Sequence, residues 1–316
     1  MSSSLSLTPE WDINNFYIRP EKIKDKRYVH IYPCCVQEKL GEVMLAEDFE
    51  KILDKDFGFE EFINSYFKYS CINPKNKMLK VCKLSSQYSN EEIKKFFGIN
   101  NYLFIPCNLS CGFCRWKDER PGFTKEDIEY YKKLYFKLLD KWADSDFEYL
   151  RLTEYGEPLL PIEDNIKFFE KVKKKKTIEI VKKGDIKIFK KDKKKKTIAI
   201  TTNGILLDKY VPIFERFKDT IDFKVSVSLN AYDREIYKHK MNSDNFDKVI
   251  ENIYLAKDFI YKIIFFIDDK EKDNNKYYYN LLKDILPSLK KDIDWGFLCD
   301  LRNPKNLRFT ESDIQS

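Results

Sequence analysis

Three cysteines fall within eight residues, in the run Cys107-Asn108-Leu109-Ser110-Cys111-Gly112-Phe113-Cys114. Thiols spaced this closely on one loop can fold round a single metal centre, and soft thiolates suit zinc or an iron–sulfur cluster. A structural zinc site wants four protein ligands, and no histidine lies nearby to supply the fourth. A cubane held by three cysteines leaves one iron free for a substrate or cofactor. Gly112 relieves crowding as the loop wraps, and Phe113 can shield the centre from water.

The elements that must position this loop show a rhythm from residue 99 onward. Tyr102–Ile105 is a short apolar strand candidate, and Thr124 with Asp127 can cap a long helix to about Ala143. Strands are expected at Phe147–Thr153, Thr197–Thr201, Phe223–Leu229, Tyr261–Ile267 and Trp295–Leu298. Helices are expected at Ile162–Val172, Tyr210–Phe217, Phe246–Asp258 and Tyr277–Leu289. Alternating strands and helices imply an α/β domain, either a doubly wound sheet or a partial barrel, and ligands in such folds bind at the C-terminal strand ends. The cysteine run, Glu154-Tyr155-Gly156-Glu157-Pro158, Thr201-Thr202-Asn203-Gly204 and Ser226-Val227-Ser228-Leu229-Asn230 each follow or end one of these strands.

Residues 1–98 lack that rhythm. Tyr28–Tyr32 reads as a strand, Glu47–Leu53 and Phe59–Phe67 as short helices, and Ser89 with Glu92 as a capping box for a helix ending near Gly98. Cys34, Cys35, Cys71 and Cys82 lie in this part. The expected division is an N-terminal domain at 1–98, a core at 99–300 and a polar tail at 301–316. Within the core, residues 173–196 are a lysine-rich insertion. Alternation around Gly184-Asp185 suggests a hairpin there, read either as a basic arm for RNA, another anion or an acidic peptide, or as a solvated projection. Only Phe189 interleaves its lysines, short of the aromatic platforms typical of single-strand binding.

Composition narrows the function classes. The 316 residues are 43% hydrophobic and 35% charged, which excludes a disordered or collagen-like chain. No apolar run reaches the roughly 18 residues of a membrane-spanning helix. The net charge of +6 is small for this length and weak as a nucleic-acid signal. A start without a basic, then apolar, stretch points to the cytoplasm, where clustered cysteines serve metals or catalysis rather than disulfides. His30 and His239 are the only histidines. Both read as structural or surface residues, which argues against a histidine-based triad or an ordinary zinc hydrolase.

Cys-x3-Cys-x2-Cys with an aromatic before the last cysteine resembles the signature of the radical S-adenosylmethionine (radical SAM) superfamily. Residues 154–158 are similar to that family's Gly-Gly-Glu-Pro motif, with Tyr155 in place of the first glycine. The Thr-Thr-Asn-Gly and Ser-Leu-Asn runs follow in the family's order. The resemblance implies a partial (β/α)6 TIM-like barrel over about residues 99–300. It also implies a 4Fe-4S cluster on Cys107, Cys111 and Cys114, S-adenosyl-L-methionine on the spare iron, and a flavodoxin- or ferredoxin-type reductant. Gly156 would let the backbone approach the methionine moiety, Glu157 would accept its ammonium, and Pro158 would stiffen the turn. Ser228 and Asn230 suit the ribose or carboxylate, and Thr202 and Asn203 share that rim. Phe265, Phe266 and Leu298 are either an adenine wall or plain strand core. Cys299, beside Asp300 and Arg302, is either a hydrogen-atom donor, an acid or a substrate contact, or a packed thiol. Asp268 and Asp269 could orient a polar substrate.

Upstream, Tyr32-Pro33-Cys34-Cys35, Leu40-Gly41-Glu42 and Cys71 are similar to the SPASM or twitch auxiliary cluster domains of some members. The wide spacing of Cys71 and Cys82 departs from the usual tight pair. A small N-terminal α+β domain with a second 4Fe-4S cluster, a structural zinc and a metal-free remnant are the three readings. Members with such a module often modify peptides or proteins, which is the expected substrate class. RNA, a sugar or an alcohol as substrate, and a non-catalytic iron–sulfur or zinc scaffold, are the alternatives.

Overall fold

The computed structural model describes residues 15–32, 42–55, 98–114, 122–145, 147–152, 156–176, 182–183, 186–187, 195–267, 275–285 and 294–299. Its framework is a nine-stranded sheet. In chain order the strands are β1 (Asn15–Ile23), β2 (Lys26–Tyr32), β3 (Glu42–Leu45), β4 (Gly98–Asn101), β5 (Tyr149–Leu152), β8 (Lys196–Thr202), β9 (Ile221–Ser228), β10 (Ile260–Ile267) and β11 (Asp294–Cys299). They lie in the order β11-β10-β9-β8-β5-β4-β1-β2-β3. Every neighbouring pair from β11 to β1 is parallel, and β2 and β3 complete the sheet antiparallel. The described N-terminal strands therefore continue the sheet of the core rather than forming one of their own.

Helices α1 (Ala46–Asp54), α2 (Lys125–Asp144), α3 (Ile162–Lys176), α4 (Leu207–Phe217), α5 (Arg234–Met241), α6 (Phe246–Leu255) and α7 (Asn275–Ile285) connect the strands. The capping box expected at Thr124 is present. Its hydroxyl accepts from Asp127 N at 3.2 Å, while the Asp127 carboxylate accepts from Thr124 N at 2.9 Å. From there Tyr131, Leu134, Tyr135, Leu138, Leu139 and Trp142 recur three or four residues apart, and all are buried. Each such side chain taken out of water stabilises the fold by about 1.5–3 kcal/mol. At the far end Lys196 reaches the carbonyls of Trp142 (2.9 Å) and Ser145 (2.8 Å). A cation there satisfies acceptors a helix C-terminus leaves open, so one lysine of the Lys193–Lys196 run has a defined structural task.

Asp127 also ties the N-terminal hairpin to the core. Lys22 and Arg27 lie 2.8 and 2.7 Å from its two oxygens. Burial alone would raise this carboxyl, but the bonds from Lys22, Arg27 and Thr124 hold it well below the usual carboxylate range. Beside it, the buried Tyr131 hydroxyl donates to the carbonyls of Glu21 and Tyr28.

Strands β1, β3 and β4 differ from expectation. The strand expected at Tyr102–Ile105 is instead β4, at 98–101, directly ahead of that apolar run. That run is extended and its Leu103, Phe104 and Ile105 are buried, but Leu103 N donates to the Asn101 side chain (3.2 Å) instead of a ladder partner. Strand β1 went unread because it contains Pro20 and three charged residues, Arg19, Glu21 and Lys22. Its ladder with β4 stops at Ile18, so the missing Pro20 N–H has no partner strand to face on that side. The turn into β2 places Lys24 and Asp25 at φ 46° and 62° without a glycine. The lysine-rich insertion carries an antiparallel pair, β6 (Lys182–Lys183) with β7 (Ile186–Lys187), as the alternation round Gly184-Asp185 suggests. The helices expected at Phe59–Phe67 and Ser89–Gly98 lie outside the described residues, apart from Gly98 in β4. No described helix is long and apolar enough to cross a membrane.

Candidate active site

Strands β4, β5, β8 and β9 are adjacent and parallel, so the four segments that follow them emerge at one edge of the sheet. Backbone bonds set their contact. Glu157 N donates to the carbonyl of Pro106 at 2.7 Å, directly ahead of Cys107. A Cβ on Gly156 would overlap the Pro106 carbonyl oxygen and lie 2.7 Å from that of Ile105. Gly156 is thus required by the protein's own backbone, whatever approaches it later. Pro158 is buried and its carbonyl accepts from the Asn165 amide at 2.8 Å.

Glu157 is the centre of this rim. It is 2% exposed. Its Oε1 accepts from the Thr202 hydroxyl (2.7 Å) and Leu159 N (3.2 Å), and its Oε2 from Asn203 N (2.9 Å). Burial pushes the carboxyl up to about 7, while the bonds from Asn203, Thr202 and Leu159 pull the other way. A carboxylate offers roughly four acceptor positions. One therefore remains for a further donor.

The Thr-Thr-Asn-Gly turn is locked by its own side chains. Thr202 Oγ1 accepts from Gly204 N (3.1 Å), Asn203 Oδ1 from Ile205 N (3.1 Å), and the Asn252 amide donates to the carbonyls of Gly204 and Ile205. Gly204 sits at φ +83°, a conformation that favours glycine, with Val249 and Val227 within 3.1 Å of where a Cβ would stand. Asn203 Nδ2 then reaches Asn108 Oδ1 in the cysteine loop at 2.8 Å. After β9, Asn230 is left-handed (φ 60°) and 4% exposed, with its amide near the Ser228 carbonyl (3.4 Å) and the Met241 sulfur (3.6 Å).

Cys107, Cys111 and Cys114 are half-buried and not joined in a disulfide, and Cys111 and Phe113 pack against the hydrophobic core. Helix α5 holds their loop from the other side. Gly112 N donates to the Lys240 carbonyl (2.9 Å) and Asn242 Nδ2 to Ser110 Oγ (2.9 Å). Among the described residues no three His, Cys, Asp or Glu side chains are gathered closely enough to hold a metal ion as they stand. The cysteines of a cubane bind different irons and need not converge on one point. Three soft donors on a loop pinned at Asn108, Ser110 and Gly112 fit such a cluster.

The other expected residues separate. Phe265 is fully buried with the Tyr278 ring 5.0 Å away, which is strand core. The side chains of Phe266, Leu298 and Cys299 lie outside the described residues. Cys299 ends β11 in register with Ile267. Cys34, Cys35, Cys71, Cys82, Asp268, Asp269 and Asp300 lie outside them altogether. His239 is exposed on α5, and His30 is buried on β2, 3.8 Å from Glu21. Sequence reasoning missed α5 entirely, and with it Tyr237, Lys240 and Asn242. Asp233, whose carboxylate accepts from Ile236 N (2.8 Å), and the left-handed Asn242 were the available start and stop signals.

Comparison with known proteins agrees with this layout. Residues 160 in number align at 28% identity with an uncharacterized protein of Methanocaldococcus jannaschii, covering 50% of this chain and 43% of the relative. The chain thus spans less than half the length of that relative. Residues 104–283, more than half of the chain, match the family described as the Radical SAM superfamily. That span opens inside the apolar run before Cys107 and takes in all four strand-end motifs, and the chain belongs to the radical SAM superfamily.

Proposed function

We propose that this chain is a radical S-adenosylmethionine enzyme whose cluster is held by Cys107, Cys111 and Cys114 and whose substrate is a peptide or protein. Family membership implies a 4Fe-4S cluster and S-adenosylmethionine. When bound, they supply a one-electron reductive cleavage that releases methionine and a 5′-deoxyadenosyl radical able to take a hydrogen atom from a substrate. The observation that carries the reading is the chain of contacts from Glu157 through Asn203 to Asn108, which links three adjacent strand ends to the cysteine loop.

The protein's part is placement and exclusion. Glu157 keeps an acceptor position for the cofactor's ammonium, a charge-assisted bond that is strong in a dry pocket. Thr202 and Asn203 fix that carboxylate from the rim, and Gly156 and Pro158 fix the turn that delivers it. Ser228 and Asn230 serve the ribose or carboxylate. Phe113 covers the cluster, and a flavodoxin- or ferredoxin-type protein delivers the electron. Cys299 is assigned the return of a hydrogen atom or a substrate contact. Cys34, Cys35, Cys71 and Cys82 are assigned to an auxiliary 4Fe-4S cluster of SPASM or twitch type.

Anaerobic reconstitution with iron and sulfide tests the ligand assignments. About four irons per chain indicate one cluster and about eight indicate two. Cys107→Ala should lose the first set and Cys71→Ala only the second. Deuterium passing from a labelled peptide encoded beside the gene into 5′-deoxyadenosine would establish the substrate class. The β6–β7 hairpin supports a second reading, RNA. Salt-dependent tRNA binding that disappears on reversing the charges of Lys182, Lys183 and Lys187 would favour it.

A further inference from the structure

Tyr237 is fully buried on α5, and among the described residues its hydroxyl has no hydrogen-bond partner. Three of the other buried tyrosines differ. Tyr131 donates to two carbonyls, Tyr210 accepts from Asn165, and Tyr278 accepts from Lys240. An unmet buried hydroxyl costs about 1–3 kcal/mol, and native chains keep few of them. Beside a loop that carries metal ligands, such a group is placed to meet a partner from outside the polypeptide.

The position of this one is specific. Tyr237 stands one turn ahead of Lys240, whose carbonyl holds Gly112, and five residues ahead of Asn242, which holds Ser110. The helix is therefore clamped to the loop on both sides of Cys111. The ring is fixed edge-on against Phe246, centroids 5.8 Å apart. Burial drives its phenol above the ordinary range, and the negative charges of Cys111 and Glu157 drive it further. The hydroxyl thus sits on the helix pinned to the loop on either side of the middle cysteine, and makes no bond to it or to the rim carboxylate.

We propose that the Tyr237 hydroxyl donates a hydrogen bond to the sulfur atoms at the Cys111 corner of the iron–sulfur cluster, and so holds the cluster's reduction potential up. This rests on the cluster assignment made above. Hydrogen bonds to cluster sulfurs stabilise the reduced, more negative state. Tyr237 is a tuning residue here and takes no part in bond making.

Tyr237→Phe removes one oxygen and keeps the ring in its slot. The unaltered chain and the variant are reconstituted anaerobically and titrated without S-adenosylmethionine, following the electron paramagnetic resonance signal of the reduced cluster. The expected result is a more negative midpoint in the variant with unchanged iron and sulfide content. Affinity for S-adenosylmethionine should stay within about twofold, well inside the tenfold that 1.4 kcal/mol represents. An unmoved midpoint in a fully loaded variant overturns the proposal. An unmoved midpoint with weakened S-adenosylmethionine binding also overturns it and assigns the hydroxyl to the sulfonium cofactor. The apo variant should melt no lower than the apo parent, since no bond is lost; a lower melting temperature would reveal a protein partner and overturn the proposal. An unaltered chain that takes up no cluster removes the cluster reading and this one together, whereas a loaded parent with an unmoved variant removes the role of Tyr237 alone.

Discussion

The side-chain amide of Asn203 donates to the side-chain carbonyl of Asn108 across 2.8 Å. Asn203 also donates its backbone N–H to Glu157 and accepts from Ile205 N. One residue thus joins the turn after β8, the carboxylate after β5 and the cysteine loop after β4.

Asn203→Ala should cost about 1–3 kcal/mol, because it leaves the Ile205 N–H buried and unmet. Combined with Asn108→Ala in a double-mutant cycle, the pair should show a coupling of about 0.5–1.5 kcal/mol in denaturant unfolding. Iron should leave Asn203→Ala faster under a chelator. Additive effects and unchanged iron loss would mean that the bond does not hold the loop.

Gly156→Ala places a methyl group into the Pro106 carbonyl oxygen. Backbone on both sides must shift, at the upper end of the about 1–3 kcal/mol typical of overpacking. The expected outcome is a lower melting temperature together with reduced iron uptake, since the displaced residue adjoins Cys107. A variant that melts and loads like the parent would show that the two loops do not touch this closely in solution.

Glu157 gives a pH dependence with a defined sign. Its carboxyl is raised from 4.5 to about 7 by burial, against the three bonds that lower it. Below both values it is neutral folded and unfolded, and has no effect. As pH rises between them the unfolded chain ionises first, so stability falls, by about 3 kcal/mol in all at 1.36 kcal/mol per unit. Unfolding measured from about pH 5 to pH 8 should show this decline, and Glu157→Gln should flatten it. Affinity for S-adenosylmethionine should rise through about pH 7, where the carboxylate forms. Parallel pH profiles for parent and variant would contradict both statements.

Asp127→Ala removes a capping box and both ion pairs to the N-terminal hairpin. Loss of the cap accounts for about 1 kcal/mol, and two partly buried cations left alone add about as much again. Unfolding should report a loss of about 2 kcal/mol, with proteolysis near Lys22–Arg27 enhanced. A loss confined to α2, with an unchanged hairpin, would mean that the ion pairs contribute nothing.

Local chemistry explains what could be read in advance. Thr124 and Asp127 announce α2 because capping is a matter between neighbours in sequence. The alternation of Phe223, Val225 and Val227 with polar residues in β9 announces a strand with one face in the core. Thr202, Asn203 and Glu157 could be named from motif order, but not the bonds between them, which join residues some 45 positions apart. β1 was hidden because its proline and charges are tolerated only where β4 ends. α5 was hidden because a short helix rich in lysine carries little periodic signal, although it holds the cysteine loop and presents Tyr237. The residues most concerned with the loop are therefore on the element least visible in the sequence.

The decisive measurement is the product formed when the anaerobically reconstituted chain meets dithionite and S-adenosylmethionine. The expected result is 5′-deoxyadenosine from the parent and none from Cys111→Ala. A fully metallated parent that yields none, and shows a tetrahedral zinc on the three cysteines with a protein atom in the fourth position, would contradict the assigned chemistry.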